Sequence, residues 1–140
     1  MEIARKGSIL ALRLEHGEDV LASIDEAVKE ERSTMFIFAG LGMVTEFELG
    51  YFDNGMYVTR SFPEPHELVS MQGSVAVHGQ PRVHPHVCVA SREHVAFGGH
   101  LLRGKVWMSN EIVLVRMEGQ ESRRIRDEAK RVGILHYEGE

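Results

Sequence analysis

Apolar residues fall at every second position within residues 8–15, at Leu10, Leu12 and Leu14, and predict a strand with one buried face that Gly17 ends. The period then lengthens. Over residues 19–32, Val20, Leu21, Ile24, Ala27 and Val28 recur at helical spacing among charged residues, which predicts an amphipathic helix. Acidic residues near its start suit the positive end of the helix dipole. Residues 34–39 form a nearly continuous apolar run, as in a strand buried on both faces. Gly40-Leu41-Gly42 reads as a tight connection between strands. It lacks the third glycine or the Lys-Ser/Thr pair of a phosphate-binding loop, and the residues after it alternate like a strand through Phe47, Leu49 and Tyr51.

Asp53-Asn54-Gly55 is a hairpin signal between strands at 44–52 and 56–62, because Asn-Gly supplies the positive φ that a tight hairpin turn needs. Pro63 and Pro65 end that hairpin. Residues 66–77 read as a further strand, kinked or bulged at Gly73, and His78-Gly79-Gln80-Pro81 as a turn. Residues 82–102 read as two strands joined by a polar turn at Arg92 and Glu93, and residues 105–116 form the last strong strand. The tail changes character. Residues 121–131 are of mixed charge, with Ile125 and Ala129 at i and i+4, and predict a short helix docked by a narrow stripe. Arg123, Arg124, Arg126, Lys130 and Arg131 are interleaved with acids there, the pattern of a solvated face rather than a basic patch. Ile134, Leu135 and Tyr137 are expected to pin the end onto the body or onto a neighbouring subunit.

These elements predict one domain over residues 1–140, with a core region at about 8–116 and a C-terminal extension at 117–140. The fold class is α/β of the α+β type: a mainly antiparallel sheet packed with one main amphipathic helix and a short C-terminal helix. Phe36, Phe38, Phe47, Leu49, Val113 and Val115 are the expected core, with some left for subunit contacts.

Charge and composition narrow the function. Sixteen Lys and Arg stand against 21 Asp and Glu, a formal net charge of −5, whereas a nonspecific phosphate binder carries the opposite sign. No apolar run is long enough for a bilayer, and the N-terminal residues lack a signal peptide's hydrophobic region, so a cytosolic (cytoplasmic) location is expected. The single Cys88 excludes an intrachain disulfide. Between Val87 and Val89 it reads as a small buried hydrophobe on the same side of its strand as His84 and His86.

Histidine clustering carries the chemistry. Five of the eight histidines lie between residues 78 and 100. His84 and His86 share one face of a strand, and the return strand brings His100 up beside them, next to Gly98 and Gly99. Three imidazoles on rigid strands look like a small metal site of the open three-histidine kind, which suits zinc (Zn). The alternative is separate histidines, some exposed and some hydrogen-bonded in the sheet. A cupin-type site fits poorly, since the next glutamate after His86 is Glu93, seven positions on and in the expected turn. No Ser, Cys or carboxylate stands in a nucleophile setting. His16, His66, His78, His94 and His136 read as turn or surface residues.

The order of motifs resembles a known family. It runs Leu-Arg-Leu, Gly-Glu-Asp-Val, Ala-Gly-Leu-Gly-Met-Val, Glu-Leu-Gly-Tyr-Phe-Asp, Glu-Leu-Val-Ser-Met-Gln-Gly-Ser-Val, His-Pro-His-Val, Gly-Gly-His-Leu and Asn-Glu-Ile-Val-Leu. Over residues 8–116 this resembles the plants-and-prokaryotes-conserved (PPC) domain, found alone in prokaryotes and behind AT-hook segments in plant nuclear proteins. The resemblance implies a homotrimer and a metal, zinc above all, on His84, His86 and His100, with Glu111 as a nearby outer partner. The family's customary label is predicted DNA-binding protein. This sequence has no AT-hook, no Arg-Gly-Arg-Pro-like segment, and Pro-His where plant members show Gly-Arg-Phe. The expectation is therefore a homotrimeric metal-binding module with a regulatory or protein-interaction role, DNA being disfavoured. The alternative is a metal-dependent enzyme, hydrolytic, which needs an open coordination position and a general base.

Overall fold

The computed structural model describes residues 1–139. Eleven elements succeed one another: β1 (Glu2–Lys6), β2 (Ile9–Glu15), α1 (Val20–Ala27), β3 (Met35–Asp53), β4 (Met56–Phe62), β5 (His66–Val75), β6 (His78–Gly79), β7 (Val83–Ala90), β8 (Ala96–Arg116), β9 (Glu121–Asp127) and β10 (Val132–Glu138). Seven strands form one antiparallel sheet in the order β1-β2-β8-β7-β5-β3-β4, and β3 also pairs with β8. The pairings β3–β5, β5–β7, β7–β8 and β8–β3 therefore close a ring. No helix among the described residues is long and apolar enough to cross a membrane.

β3 and β8 are far longer than the sequence pattern implies. The runs at 34–39 and 44–52 are one strand, and Gly40-Leu41-Gly42 lies within it rather than between two strands. β3 tolerates this length because its register against β8 shifts between Ile37 and Ala39, Gly42 and Val44, Thr45 and Glu48, and Glu48 and Leu49. Each such irregularity adds twist and lets a long strand curl instead of splaying.

Alternation places the core. Leu10, Leu12 and Leu14 on β2, Met35 and Ile37 on β3, and Ile112 and Leu114 on β8 are all buried and meet Val20, Ile24 and Ala27 of α1. Asp19 caps that helix, its Oδ1 accepting from the Ala22 N–H at 2.8 Å. The helix stops at Ala27, well short of residue 32, and Val28 forms the C-cap. Phe47 and Leu49 are buried as expected, but Phe38 is 71% exposed and Phe36, Val113 and Val115 are only half-buried. Strand parity is the reason: Met35 and Ile37 own the inner face, so Phe36 and Phe38 point away.

The C-terminal helix expected at 121–131 is absent; those residues begin a hairpin. β9 and β10 pair antiparallel through a turn in which Asp127 Oδ1 accepts from the Lys130 N–H at 2.9 Å and Arg131 takes φ 58°. β6 joins this hairpin in parallel, His78 opposite Arg123, so the expected turn at 78–81 starts as a short strand. The inward positions of β9 are Ser122 and Arg124, both polar, while Ile125 is 45% exposed. A period of two is therefore present but written in polar residues, and Ile125 with Ala129 mimics a helical stripe.

Candidate metal centre

Alternation along β7 turns Val83, Pro85, Val87 and Val89 inward and leaves His84, His86 and Cys88 on the opposite face. The ladder sets His86 directly opposite His100 of β8, with Gln72 of β5 on its other side, and His84 opposite Ser74. Two glycines permit these close pairings. A Cβ on Gly73 would meet the His84 carbonyl oxygen at 2.1 Å, and one on Gly98 would meet the Val87 carbonyl oxygen at 2.3 Å.

The three rings converge. Ring centroids are 5.2 Å apart for His84 and His86, 4.6 Å for His84 and His100, and 5.4 Å for His86 and His100. One nitrogen from each ring lies within 4.8 Å of the others. His84 Nε2 and His86 Nε2 approach to 3.1 Å. Two nitrogens on one tetrahedral zinc, each ~2.0–2.1 Å from the ion, stand roughly 3.3 Å apart, so this spacing already suits a shared ion. His100 Nδ1 is buried with no hydrogen-bond partner, a nitrogen the protein itself leaves unused.

Electrostatics favour ligation. Burial, followed by the neighbouring His100, Arg124 and His86, holds the His84 pKa down at about 4. Burial, then His86 and Arg124, holds His100 at about 4 as well. Both imidazoles are thus neutral near pH 7, the form that offers a lone pair to a metal. The donor set fits a zinc-like ion: three imidazole nitrogens, with a buried nitrogen of His100 left without a partner.

Around the triad lie residues that hydrophobic periodicity does not single out. Arg124 of β9 is only 8% exposed; its Nη2 donates to Ser74 Oγ at 2.9 Å and its Nη1 lies 3.4 Å from His84 Nδ1. Burial pulls its pKa below the ordinary arginine value. Tyr57 of β4 packs on His100 with ring centroids 5.1 Å apart. His84 and His100 form part of the wall of a cleft of about 250 Å³ that Tyr57, Arg124, Arg126 and Arg131 also line. The charge pattern of this arginine-rich hairpin is that of a solvated face, and nothing in its sequence marks Arg124 as the residue turned inward.

Other residues singled out in the sequence lie elsewhere. Glu111 sits opposite Arg13 and Leu41, eleven residues along β8 from His100, and borders a separate hollow with Glu2 and Arg13. Cys88 is half-buried beside Gly98 and is outside the histidine group. His66 is no surface residue. It is buried edge-on against Phe47 at 5.1 Å, its Nδ1 2.9 Å from the Glu64 carbonyl oxygen. His78 pairs with Glu121 at 2.9 Å and lies 4.0 Å from Glu138. His16 packs edge-on to Trp107 at 4.9 Å, and His94 and His136 are exposed.

An antiparallel sheet closed around two long strands, with three imidazoles gathered where two of its strands pair, defines a class of small β-rich proteins that carry a candidate ligand set on the sheet itself. Within that class the chain belongs to the Plants and Prokaryotes Conserved (PCC) domain family, whose profile matches residues 1–118. The structure resembles a plant- and prokaryote-conserved (PPC) protein of Pyrococcus horikoshii, at 27% identity and TM-score 0.81 over 96% of this chain and 93% of that one. It is equally similar to a protein of Archaeoglobus fulgidus described as metal-containing, at 27% identity and TM-score 0.82, over 96% and 95% of the two chains. A proposed DNA-binding protein from Ralstonia eutropha shares the fold at 24% identity and TM-score 0.83, over 96% and 94%. Among curated proteins none matches this sequence.

Proposed function

We propose that this protein is a metal-binding member of its family, with one zinc-like ion held by His84, His86 and His100, acting as a homotrimeric regulatory or interaction module. The observation that carries the reading is the convergence of three ligand nitrogens within 4.8 Å on paired strands. The neutrality of His84 and His100 near pH 7 and the metal-containing description of the Archaeoglobus fulgidus relative support it. When bound, such an ion supplies a fixed positive charge that attracts water or an anionic ligand.

Binding is favoured over hydrolysis. A hydrolytic site needs a general base near the ion, and among the described residues no carboxylate lines the cleft beside His84 and His100. Duplex DNA is the weaker partner. The chain carries a net charge of −5, and several exposed cations of the C-terminal hairpin are matched to acids: Arg123 to Glu138, Arg126 to Glu128 and Lys130 to Asp127.

Full-length protein stripped with a chelator and titrated with Zn²⁺ should take up one ion per chain, and His84→Ala, His86→Ala and His100→Ala should each lose it while staying folded by circular dichroism. Folded wild-type protein that takes up no zinc refutes the site. Light scattering should give a mass near three times 15.8 kDa, and a monomer mass would remove the trimer. Gel-shift titration at low salt is expected to detect no duplex binding; a salt-dependent shift would reverse that ranking.

A further inference from the structure

The cleft next to the triad has a composition that the metal alone does not require. His84, His100, Tyr57 and three arginines, Arg124, Arg126 and Arg131, line it together. Among the described residues no carboxylate lines it. All three arginines come from the β9–β10 hairpin, beyond the residues matched by the family profile.

Arg124 is the informative one. A guanidinium only 8% exposed normally has a carboxylate opposite it, because an unpaired buried charge is costly. Here its contacts are a serine hydroxyl and an imidazole nitrogen, and its Nε is buried with no partner. Both of those acceptors are neutral, so within the described chain the charge has no carboxylate partner and Nε has no acceptor.

His84 Nε2 and His86 Nε2 are 3.1 Å apart, and Arg124 Nη1 lies 3.4 Å from His84 Nδ1, so the arginine stands directly beside the triad. An oxygen bearing negative charge is the acceptor that suits a buried guanidinium.

The geometry points to an oxyanion subsite in this cleft: a small carboxylate or phosphate anion held by Arg124, with Arg131 and Tyr57 at its border, beside the histidine triad. This deepens the metal reading and rests on it only for the zinc-loaded state of the neighbouring triad. A cleft of about 250 Å³ suits a small anion rather than a nucleotide or a peptide. Arginine is the residue suited to it, since its planar fork matches two oxygens of a carboxylate or phosphate at once.

The test uses full-length protein, zinc-loaded and zinc-free, with zinc stoichiometry measured in every sample. Succinate and inorganic phosphate are titrated calorimetrically into wild type, Arg124→Gln, Arg124→Lys and Arg131→Gln, and thermal melts confirm that each variant is folded. Zinc-loaded wild type should bind one anion per chain. Arg124→Gln should keep its zinc and bind at least ~10-fold more weakly, the loss of a charge-assisted bidentate contact. Arg124→Lys should recover only part of that loss, and Arg131→Gln, at the border, should lose less. The two anions distinguish a carboxylate from a phosphate site by which one binds more tightly. Should zinc load normally and neither anion bind, or bind equally to wild type and Arg124→Gln, the subsite is overturned and the metal site stands. Should zinc fail to bind while Arg124-dependent anion binding persists, the metal reading falls and the anion subsite survives. If Arg124→Gln is unfolded, Arg131→Gln and Arg124→Lys decide: wild-type affinity in both overturns the subsite.

Discussion

Replacing Gly73 with alanine tests how the sheet sets the histidine geometry. Gly73 faces Pro85 across the β5–β7 ladder, and the added methyl would sit 2.1 Å from the His84 carbonyl oxygen and 2.8 Å from Pro85 Cα. Both obstacles are backbone atoms, so no side chain can swing aside. In a close-packed sheet the two strands must part by roughly an ångström at the residue that carries His84. Overpacking of this kind costs about 1–3 kcal/mol. Restricting the unfolded chain offsets about 0.4–1 kcal/mol of that. The net loss is about 1–2 kcal/mol, or roughly 3–6 °C in melting temperature for a chain of this size. Ligand positions tolerate only ~0.5 Å of displacement, so the site suffers more than the fold. Zinc affinity, measured by competition with a chromophoric chelator, should fall about 10–100-fold, as it does when a ligand's supporting partner is lost. Melting lowered with zinc affinity unchanged would mean that β5–β7 spacing does not place His84. If neither quantity changes, the register itself is wrong.

Phe47→Ala should destabilise the zinc-free protein by about 3–5 kcal/mol, since the ring is fully buried. Phe47 stacks on Phe62 at 4.9 Å and meets His66 at 5.1 Å; a loss under about 1 kcal/mol in urea titration would deny it a central place in the core. Asp19→Ala removes the cap on the Ala22 N–H and should cost about 1 kcal/mol, seen as a lower urea midpoint at unchanged slope, with Asp19→Asn retaining most of the stability. Equal midpoints for the alanine variant and wild type would remove the cap from the account of α1.

Sequence periodicity determined what local burial decides. Leu10, Leu12 and Leu14 announced β2, Val20 and Ile24 announced α1, and Asp53-Asn54-Gly55 announced the β3–β4 hairpin. Period two likewise put His84 and His86 on one face, and a hairpin turn made His100 their neighbour; the structure brings these three together. Tertiary structure decided what depends on partners distant in the chain. Whether the apolar runs at 34–39 and 44–52 were one strand or two depended on pairing with β8, whose register shifts absorb the bend. Phe38 was apolar yet outward, because the parity of β3 is set by its neighbours. The tail misled most. The inner face of β9 is Ser122 and Arg124, and a buried arginine looks in sequence like any solvated one. Hydrophobicity records which residues water rejects, whereas the burial of a charge is imposed by the elements that fold over it.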